Sequence, residues 1–327
     1  MVKGDILRDT LILKELKKGA FISGQELAER LNISRASVWK RIKKLKKLGY
    51  NIESRPRIGY RLKDSSQLPI SYEIMAYLRT QIIGKRIYHL EKTASTQDVA
   101  KDYAIKGEQE GTVIIAEAQT QGRGRRGRRW ESPQGVGIYM STILRPDLEA
   151  QRLPFISIMA GVAVAEAIRD RFNIDAKIKW PNDIYVENKK IGGILAESFI
   201  EPDIIRYVIL GIGINLDTPQ DAFSKEIRAL ASSLREISGK SISKWKLLKG
   251  LLESLDRYYL YLLGKEDQKI IGRWRQLNNT LGRNITVLDD PPYEAFAWDL
   301  ASDGSLLIKT KEGEIQRLIS ADISIRY

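Results

Sequence analysis

The stretch TVIIAEAQTQGRGRRGRRW, residues 112–130, begins as a strand and ends as a loop built for an anion. Val113, Ile114 and Ile115 give the β-branched run of a buried strand. The second half, GRGRRGRRW at 122–130, contains three glycines and five arginines: Arg123, Arg125, Arg126, Arg128 and Arg129. Glycine permits positive φ and close backbone approach, and arginine presents a fork of N–H donors that fits carboxylate or phosphate. Composition of this kind also describes a disordered nucleic-acid tether. Position favours an ordered loop, because the run is short, follows a strand, ends at Trp130 and leads into GIYMSTIL at 137–144.

Around this loop, short runs rich in Ile, Val and Tyr predict strands at 85–90, 112–118, 137–144, 176–179, 191–198 and 207–215. Pro154 suits the first turn of a helix, and the Ala-rich segment up to Phe172 is apolar on most faces, so it should pack against the sheet. Its nearly apolar part, 155–167, is too short to span a bilayer. The pattern predicts a mixed sheet with helices to one side. Helices at 243–263 and 267–278 follow, and alternation over 282–327 suggests a small β-barrel.

Charge separates a different region at the N-terminus. Of a net charge of +13, +10 lies in residues 1–62, which hold sixteen Lys and Arg against six Asp and Glu. Leu7, Leu11, Ile12 and Leu16 fall at helical spacing over 6–18, and Gly19 stops the helix. Ser23 with Glu26 has capping-box spacing ahead of a helix at 25–31. Ser34 caps a third helix at 35–48, whose apolar stripe is Val38, Ile42, Leu45 and Leu48 and whose other faces are basic. After Gly49, alternation at 50–53 and 59–62 around Arg55, Pro56 and Arg57 predicts a wing. Three helices, a short turn and a hairpin together describe a winged helix-turn-helix rather than a merely solvated basic bundle. Candidate DNA contacts are Arg35, Ser37, Lys40, Arg41 and Lys44 on the third helix, and Arg55 and Arg57 on the wing. The polar segment 64–69 reads as a linker, which gives domains at 1–63, 70–278 and 279–327.

Composition narrows the chemistry. With no cysteine and a single histidine, His89, the chain offers no disulfide, no thiolate metal site, no cysteine nucleophile and little basis for a histidine metal site or a Ser-His-Asp triad. Lack of cysteine and of a secretory signal suits a cytoplasmic protein with no membrane partner. Any chemistry must use Lys, Arg, Asp, Glu or the substrate itself.

With its flanks, AEAQTQGRGRRGRRW resembles the signature loop of biotin protein ligases, and four further segments agree in order: Ser95-Thr96-Gln97, Lys179-Trp180-Pro181-Asn182-Asp183, Lys189-Lys190-Ile191-Gly192-Gly193-Ile194 and Gly211-Ile212-Gly213-Ile214-Asn215. The basic head and the β tail resemble the bifunctional subgroup, in which the ligase also represses biotin genes. The resemblance implies an α+β chain: a winged helix-turn-helix, a class II synthetase-like core of mixed sheet and helices, and a C-terminal SH3-like barrel. It implies adenylation of biotin by ATP with Mg²⁺, transfer to a lysine of biotin carboxyl carrier protein, binding to operator DNA, and a homodimer favoured by biotinyl-AMP.

The resemblance also assigns roles. Ser95, Thr96, Gln97, Gln119, Arg123, Lys190, Gly193 and Gly211 would bind biotin. Arg123, Arg125, Arg126, Trp130, Asn182, Lys190 and Asn215 would hold the nucleotide. Lys190, Arg125 and Asp183 would act in catalysis, with Asp183 either binding Mg²⁺ or orienting the acceptor lysine. Three places depart from the family pattern: Gln97 stands for Asn, Ala297 for Gly in AFAWD, and Ala321 for Gly in SAD. A biotin-sensing regulator with little ligase activity is the alternative reading, and a lipoate ligase, which should lack both the arginine loop and the basic head, is the third.

Overall fold

A computed structural model describes residues 3–16, 18–47, 50–63, 78–201, 204–319 and 321–325. The readings at Leu48, Gly49, the linker 64–69 and the domain start at 70 lie outside those residues, as does the side chain of Leu7. The chain divides into two units, 1–78 and 79–327.

In the first unit, helices α1 (Lys3–Leu16), α2 (Gly24–Leu31) and α3 (Arg35–Lys47) precede an antiparallel hairpin of β1 (Ile52–Arg55) and β2 (Gly59–Leu62). Ser23 caps α2, accepting from Glu26 N at 3.0 Å. Ile12, Leu16, Leu27, Val38, Ile42 and Leu45 form one core with Ile52 and Leu62 of the hairpin. Truncating a fully buried leucine here, such as Leu45, should cost about 3 kcal/mol. The hairpin is held to the helices by Ile22, which exchanges backbone hydrogen bonds with Tyr60 at 3.0 and 2.9 Å. Gly59 permits this approach: its φ is +135°, and a Cβ there would lie 2.1 Å from Ile22 O. One charge lies inside: Asp9 is 0% exposed and accepts from Arg41 Nη1 at 2.7 Å and Lys44 Nζ at 2.6 Å.

The second unit is built on a seven-stranded sheet of β3 (Ile87–Thr93), β4 (Val113–Gln119), β5 (Gly137–Leu144), β6 (Ala176–Lys179), β7 (Asp183–Val186), β8 (Lys189–Glu201) and β9 (Ile204–Asn215). The strand order is β3-β4-β5-β9-β8-β7-β6, with β3 and β4 parallel and the other pairs antiparallel. Strand β7 was not expected; four residues after the turn at Trp180-Pro181 are too few for alternation to stand out.

Helices follow as α4 (Thr96–Ile105), α5 (Leu153–Phe172), the short α6 (Lys225–Arg228) and α7 (Leu234–Ser238), then α8 (Lys244–Leu263) and α9 (Asp267–Leu277). Paired residues of neighbouring strands share a face, so two rows separate the sheet's sides. Ile194 and Ile212 are paired on the side of α5, where Gly161 packs close to Ile194 and Ile178. Gly211 is paired with both Leu195 and Ser141 on the opposite side, where it meets Gln97 of α4. The expectation of helices to one side therefore fails at α4. Ala100 and Ala104 let this helix pack against Ile114, Ile143 and Ile209, and its N-terminus delivers Ser95, Thr96 and Gln97 to that face. Helix α5 is long and apolar enough to cross a membrane by length and composition. Its Phe155, Ile158, Val162 and Ile168 are nevertheless fully buried between the sheet and α8, the place of a core helix.

Strands β10 (Asn284–Val287), β11 (Tyr293–Leu300), β12 (Leu306–Lys309), β13 (Ile315–Leu318) and β14 (Ile323–Ile325) form a small antiparallel sheet in the order β13-β12-β11-β10-β14. Buried Trp180 joins this β domain to the large sheet: its Nε1 donates to Gly304 O at 3.1 Å and its N to Thr280 Oγ1 at 2.9 Å. The tie holds the C-terminal strands beside the loop 180–183, at the edge of the site.

Candidate active site

A cavity of about 680 Å³ opens on the α4 side of the large sheet. One end is a hydrogen-bond network. Thr96 donates from N and Oγ1 to Gln119 Oε1 at 2.8 and 3.1 Å, and its Oγ1 lies 2.8 Å from Ser141 Oγ. Gln119 Nε2 donates to Ser132 Oγ at 2.9 Å, while Ser95 caps α4 by accepting from Gln97 N. Thr96, Ser95 and Ser141 are buried, so a ligand reaching them is read by fixed groups with little freedom to adapt.

The floor is glycine, and two large side chains press on it. A Cβ at Gly211 would lie 2.8 Å from Gln97 Oε1, one at Gly193 3.2 Å from Trp130, and one at Gly213 2.5 Å from Trp130. Trp130 thus closes the loop 122–130 down onto β8 and β9. Gly213, which sequence reasoning did not single out, is the tightest of the three positions.

Cations line the wall, and four of them are set against a carboxylate from another part of the chain. Arg123 pairs with Asp98 at 2.9 Å and Glu197 at 3.0 Å. Arg125 reaches Asp322 and Asn182 Oδ1, both at 3.2 Å, and Arg128 pairs with Asp322 at 2.8 Å. Lys190 Nζ lies 2.6 Å from Asp183 and faces the Trp130 ring at 5.8 Å. Burial lowers the Arg125 guanidinium from its ordinary value, against the opposing effect of Asp322 and Asp183. Asn182 and Asn215 serve the frame: Asn182 Nδ2 donates to Ile194 O at 2.8 Å and Asn215 Nδ2 to Ser232 O at 3.2 Å.

Arg126 is the exception among the candidate nucleotide residues, for it does not line the cavity. The backbone turns left-handed there, at φ 53°, and the side chain stands exposed while Arg125 faces inward. Several lining residues were given no role from the sequence. Ser141 lies inside an apolar strand, Arg128 is one arginine of five, and Lys179 and Asp322 come to the same cavity only through folding. An apolar lip of Phe223, Ile227 and Leu230 comes from the short helix α6 and its flanking turns. It adjoins Lys190, whose N donates to Leu230 O at 2.8 Å. His89 lies outside the cavity and contacts Glu117 at 2.7 Å. Burial would raise the Glu117 carboxyl, but hydrogen bonds from His89 and Lys244 outweigh it and hold the group down to about 2.

In the first unit, Arg35, Lys40, Arg55 and Arg57 are exposed and Ser37 is half-buried. Arg41 and Lys44 differ, because both turn inward to Asp9, and Arg41 is only 12% exposed. The same helix presents Trp39, 54% exposed with Lys43 Nζ 5.0 Å over its ring, a residue the basic pattern concealed.

Comparison with known proteins matches this arrangement along the whole chain. Residues 90–215 match the biotin/lipoate A/B protein ligase family, residues 8–61 an HTH domain and residues 280–326 the biotin protein ligase C-terminal domain. The bifunctional ligase/repressor BirA of Bacillus subtilis is 35% identical over 326 residues, covering 99% of this chain and 100% of that protein. The chain belongs to the bifunctional biotin ligase/repressor family. BirA of Escherichia coli is 29% identical over 95% of each chain. The solved biotin protein ligase from Aquifex aeolicus in complex with biotin and ATP superposes with a TM-score of 0.63 at 30% identity, covering 74% of this chain and 99% of that one.

Against the family pattern, the departures have local explanations. Gln97, longer than the usual Asn, reaches across to Glu197 Oε2 at 2.8 Å, which leaves its Oε1 buried over Gly211 without a hydrogen-bond partner. Ala297 and Ala321 bury their methyl groups, and Trp298 sits exposed at a bulge under Lys309 Nζ, 3.2 Å from the ring centre.

Proposed function

We propose that this chain adenylates biotin with ATP and transfers it to a lysine of biotin carboxyl carrier protein, and that its head binds operator DNA as the repressor of biotin genes. The observation that carries this reading is one cavity joining a buried polar end, a glycine floor and a cationic wall. Thr96, Ser95 and Gln119 hold the ring system, and Lys190 stands between the biotin carboxylate and the α-phosphate, so that two anions can meet. A carboxylate oxygen attacks the α-phosphorus, and the bond to the bridging oxygen breaks with its electron pair leaving on pyrophosphate. The carrier amine then attacks the acyl carbon, AMP leaves with the C–O electron pair, and the amine gives up its proton. No enzyme nucleophile is required.

Arg123 and Arg125 exchange their carboxylate partners for the adenylate and shield it from water. The lip of Phe223, Ile227 and Leu230 offers an apolar surface to adenine. Asp183 orients the acceptor amine or holds Mg²⁺. Among the described residues no group of three His, Cys, Asp or Glu gathers. One carboxylate fits a Mg²⁺ whose remaining ligands are phosphate and water.

Biotinyl-AMP orders the loop 122–130 and favours a homodimer able to meet two operator half-sites. Phe199, Ile200 and Ile204, exposed where β8 and β9 pair at Glu201 and Ile204, offer an apolar surface for it. Sedimentation unchanged by biotin plus ATP would count against the dimer. The function itself is tested by incubating the protein with ATP, labelled biotin and a carrier domain: label should appear on the carrier, and none at saturating substrates would sink the enzyme claim.

A further inference from the structure

Four strands place one row of residues across the cavity. Lys179 of β6 pairs in register with Asp183 of β7, Asp183 with Gly193 of β8, and Gly193 with Gly213 of β9. At about 4.8 Å per strand, Lys179 lies roughly 14 Å from Gly213 along that row. The polar end that faces Thr96 is on β5 and β9, so an extended ligand seated there passes Lys190 and Asp183 before it meets Lys179.

Two cations on this wall differ from the rest: Arg129, exposed and donating to Thr120 O at 3.4 Å, and the half-buried Lys179. Arg123, Arg125, Arg128 and Lys190 each pair with a carboxylate within 3.2 Å. Among the described residues no carboxylate lies within the 4.0 Å ion-pair distance of Lys179; its recorded contact is the Tyr185 ring, 5.5 Å from Nζ. Half-buried without a counter-ion, an ammonium group loses part of its hydration, which an anion is well suited to replace. Burial lowers its pKa from the ordinary lysine value, with Asp183 acting in the opposite sense. Its neighbourhood also holds Lys190, Arg128 and Asp322, so the cations outnumber the carboxylates at this end. The apolar lip at Leu230 suits the base, and the region around Lys179 suits multiply charged phosphate.

We propose that Lys179 is a further catalytic residue of the adenylation step, neutralising the pyrophosphate as it leaves. The proposal rests on the ligase reading. When the carboxylate oxygen bonds to the α-phosphorus, the electron pair of the breaking P–O bond passes to the β-phosphate oxygen, and Lys179 binds the charge that develops there. Transfer of biotin from the finished adenylate to the carrier amine involves no pyrophosphate and does not use Lys179.

The two half-reactions separate the possibilities. In K179M, single-turnover formation of biotinyl-AMP from biotin and ATP should fall by about 100-fold, the scale for loss of one electrostatic donor. The KM for inorganic pyrophosphate in the reverse reaction, ATP synthesis from supplied biotinyl-AMP, should rise by about tenfold or more. Transfer from supplied biotinyl-AMP to the carrier should stay within about twofold of the unaltered protein, which also shows that the variant is folded, and K179R should recover part of the adenylation rate. Adenylation within about threefold of normal overturns the proposal. So does loss of both half-reactions together in K179M and K179R, or loss of transfer alone, the result expected of a base for the acceptor amine. If the unaltered protein forms no adenylate, the ligase reading falls first and takes this proposal with it.

Discussion

Arg41 in the head and Arg125 in the arginine loop both sit in basic runs, both turn inward, and both meet an aspartate distant in sequence. Their aspartates differ. Asp9 is 0% exposed beneath the helices and takes Lys44 as well as Arg41. Asp322, although also buried at 9% exposed, lines a cavity and holds Arg125 and Arg128 where an anionic ligand could replace it. The first pair belongs to the fold, the second is an arrangement that binding can exchange. Charge density in the sequence does not distinguish them; whether the counter-ion lines a cavity does.

The largest effect should come from breaking the buried pair. Asp9→Ala leaves Arg41 and Lys44 without their shared carboxylate, and removal of one partner from a buried pair costs on the order of 3–5 kcal/mol. Denaturant titration should show the head unfolding early while biotin transfer to the carrier survives. An unfolding midpoint unchanged by the substitution would mean that Asp9 is as replaceable as Asp322.

Arg125→Gly should have a smaller energetic effect and a different kind of consequence. Loss of a charge-assisted hydrogen bond to the adenylate, about 1.5–3 kcal/mol, corresponds to roughly 10- to 100-fold faster escape of the intermediate. Thermal stability of the second unit should hardly change, while free biotinyl-AMP should label lysines on bystander proteins. Unchanged selectivity for the carrier would reduce the loop to general electrostatics.

What the sequence disclosed follows the same division. Periodicity located the strands at 137–144 and 176–179, and helix α9 to within one residue, because local pattern determines such elements. Motif order brought Ser95, Thr96, Gln119, Lys190 and Gly211 to one cavity. Pairings made only by tertiary contact were hidden: Asp322 against the arginine loop, Lys179 without a counter-ion, Arg41 and Lys44 spent on Asp9. The apolar lip was hidden for another reason, since Phe223 and Leu230 lie in turns and Ile227 in the single-turn helix α6, where no period forms. Helix α4, on the ligand face, was missed because its small residues, Ala100 and Ala104, read as weak hydrophobic signal.

The smallest effect is the most direct test of availability on the recognition helix. Lys40 is exposed, whereas Lys44, four residues on, binds Asp9 at 2.6 Å. If Lys40 contacts phosphate, Lys40→Ala should weaken DNA binding uniformly across sequences and reduce the slope of log affinity against log salt by about 1. Lys44→Ala should leave that slope unchanged and instead lower the stability of the head, because its charge serves Asp9. Equal slopes for both variants would show that the lysine at Asp9 is also available to DNA, and the distinction between structural and exchangeable cations would then hold only in the second unit.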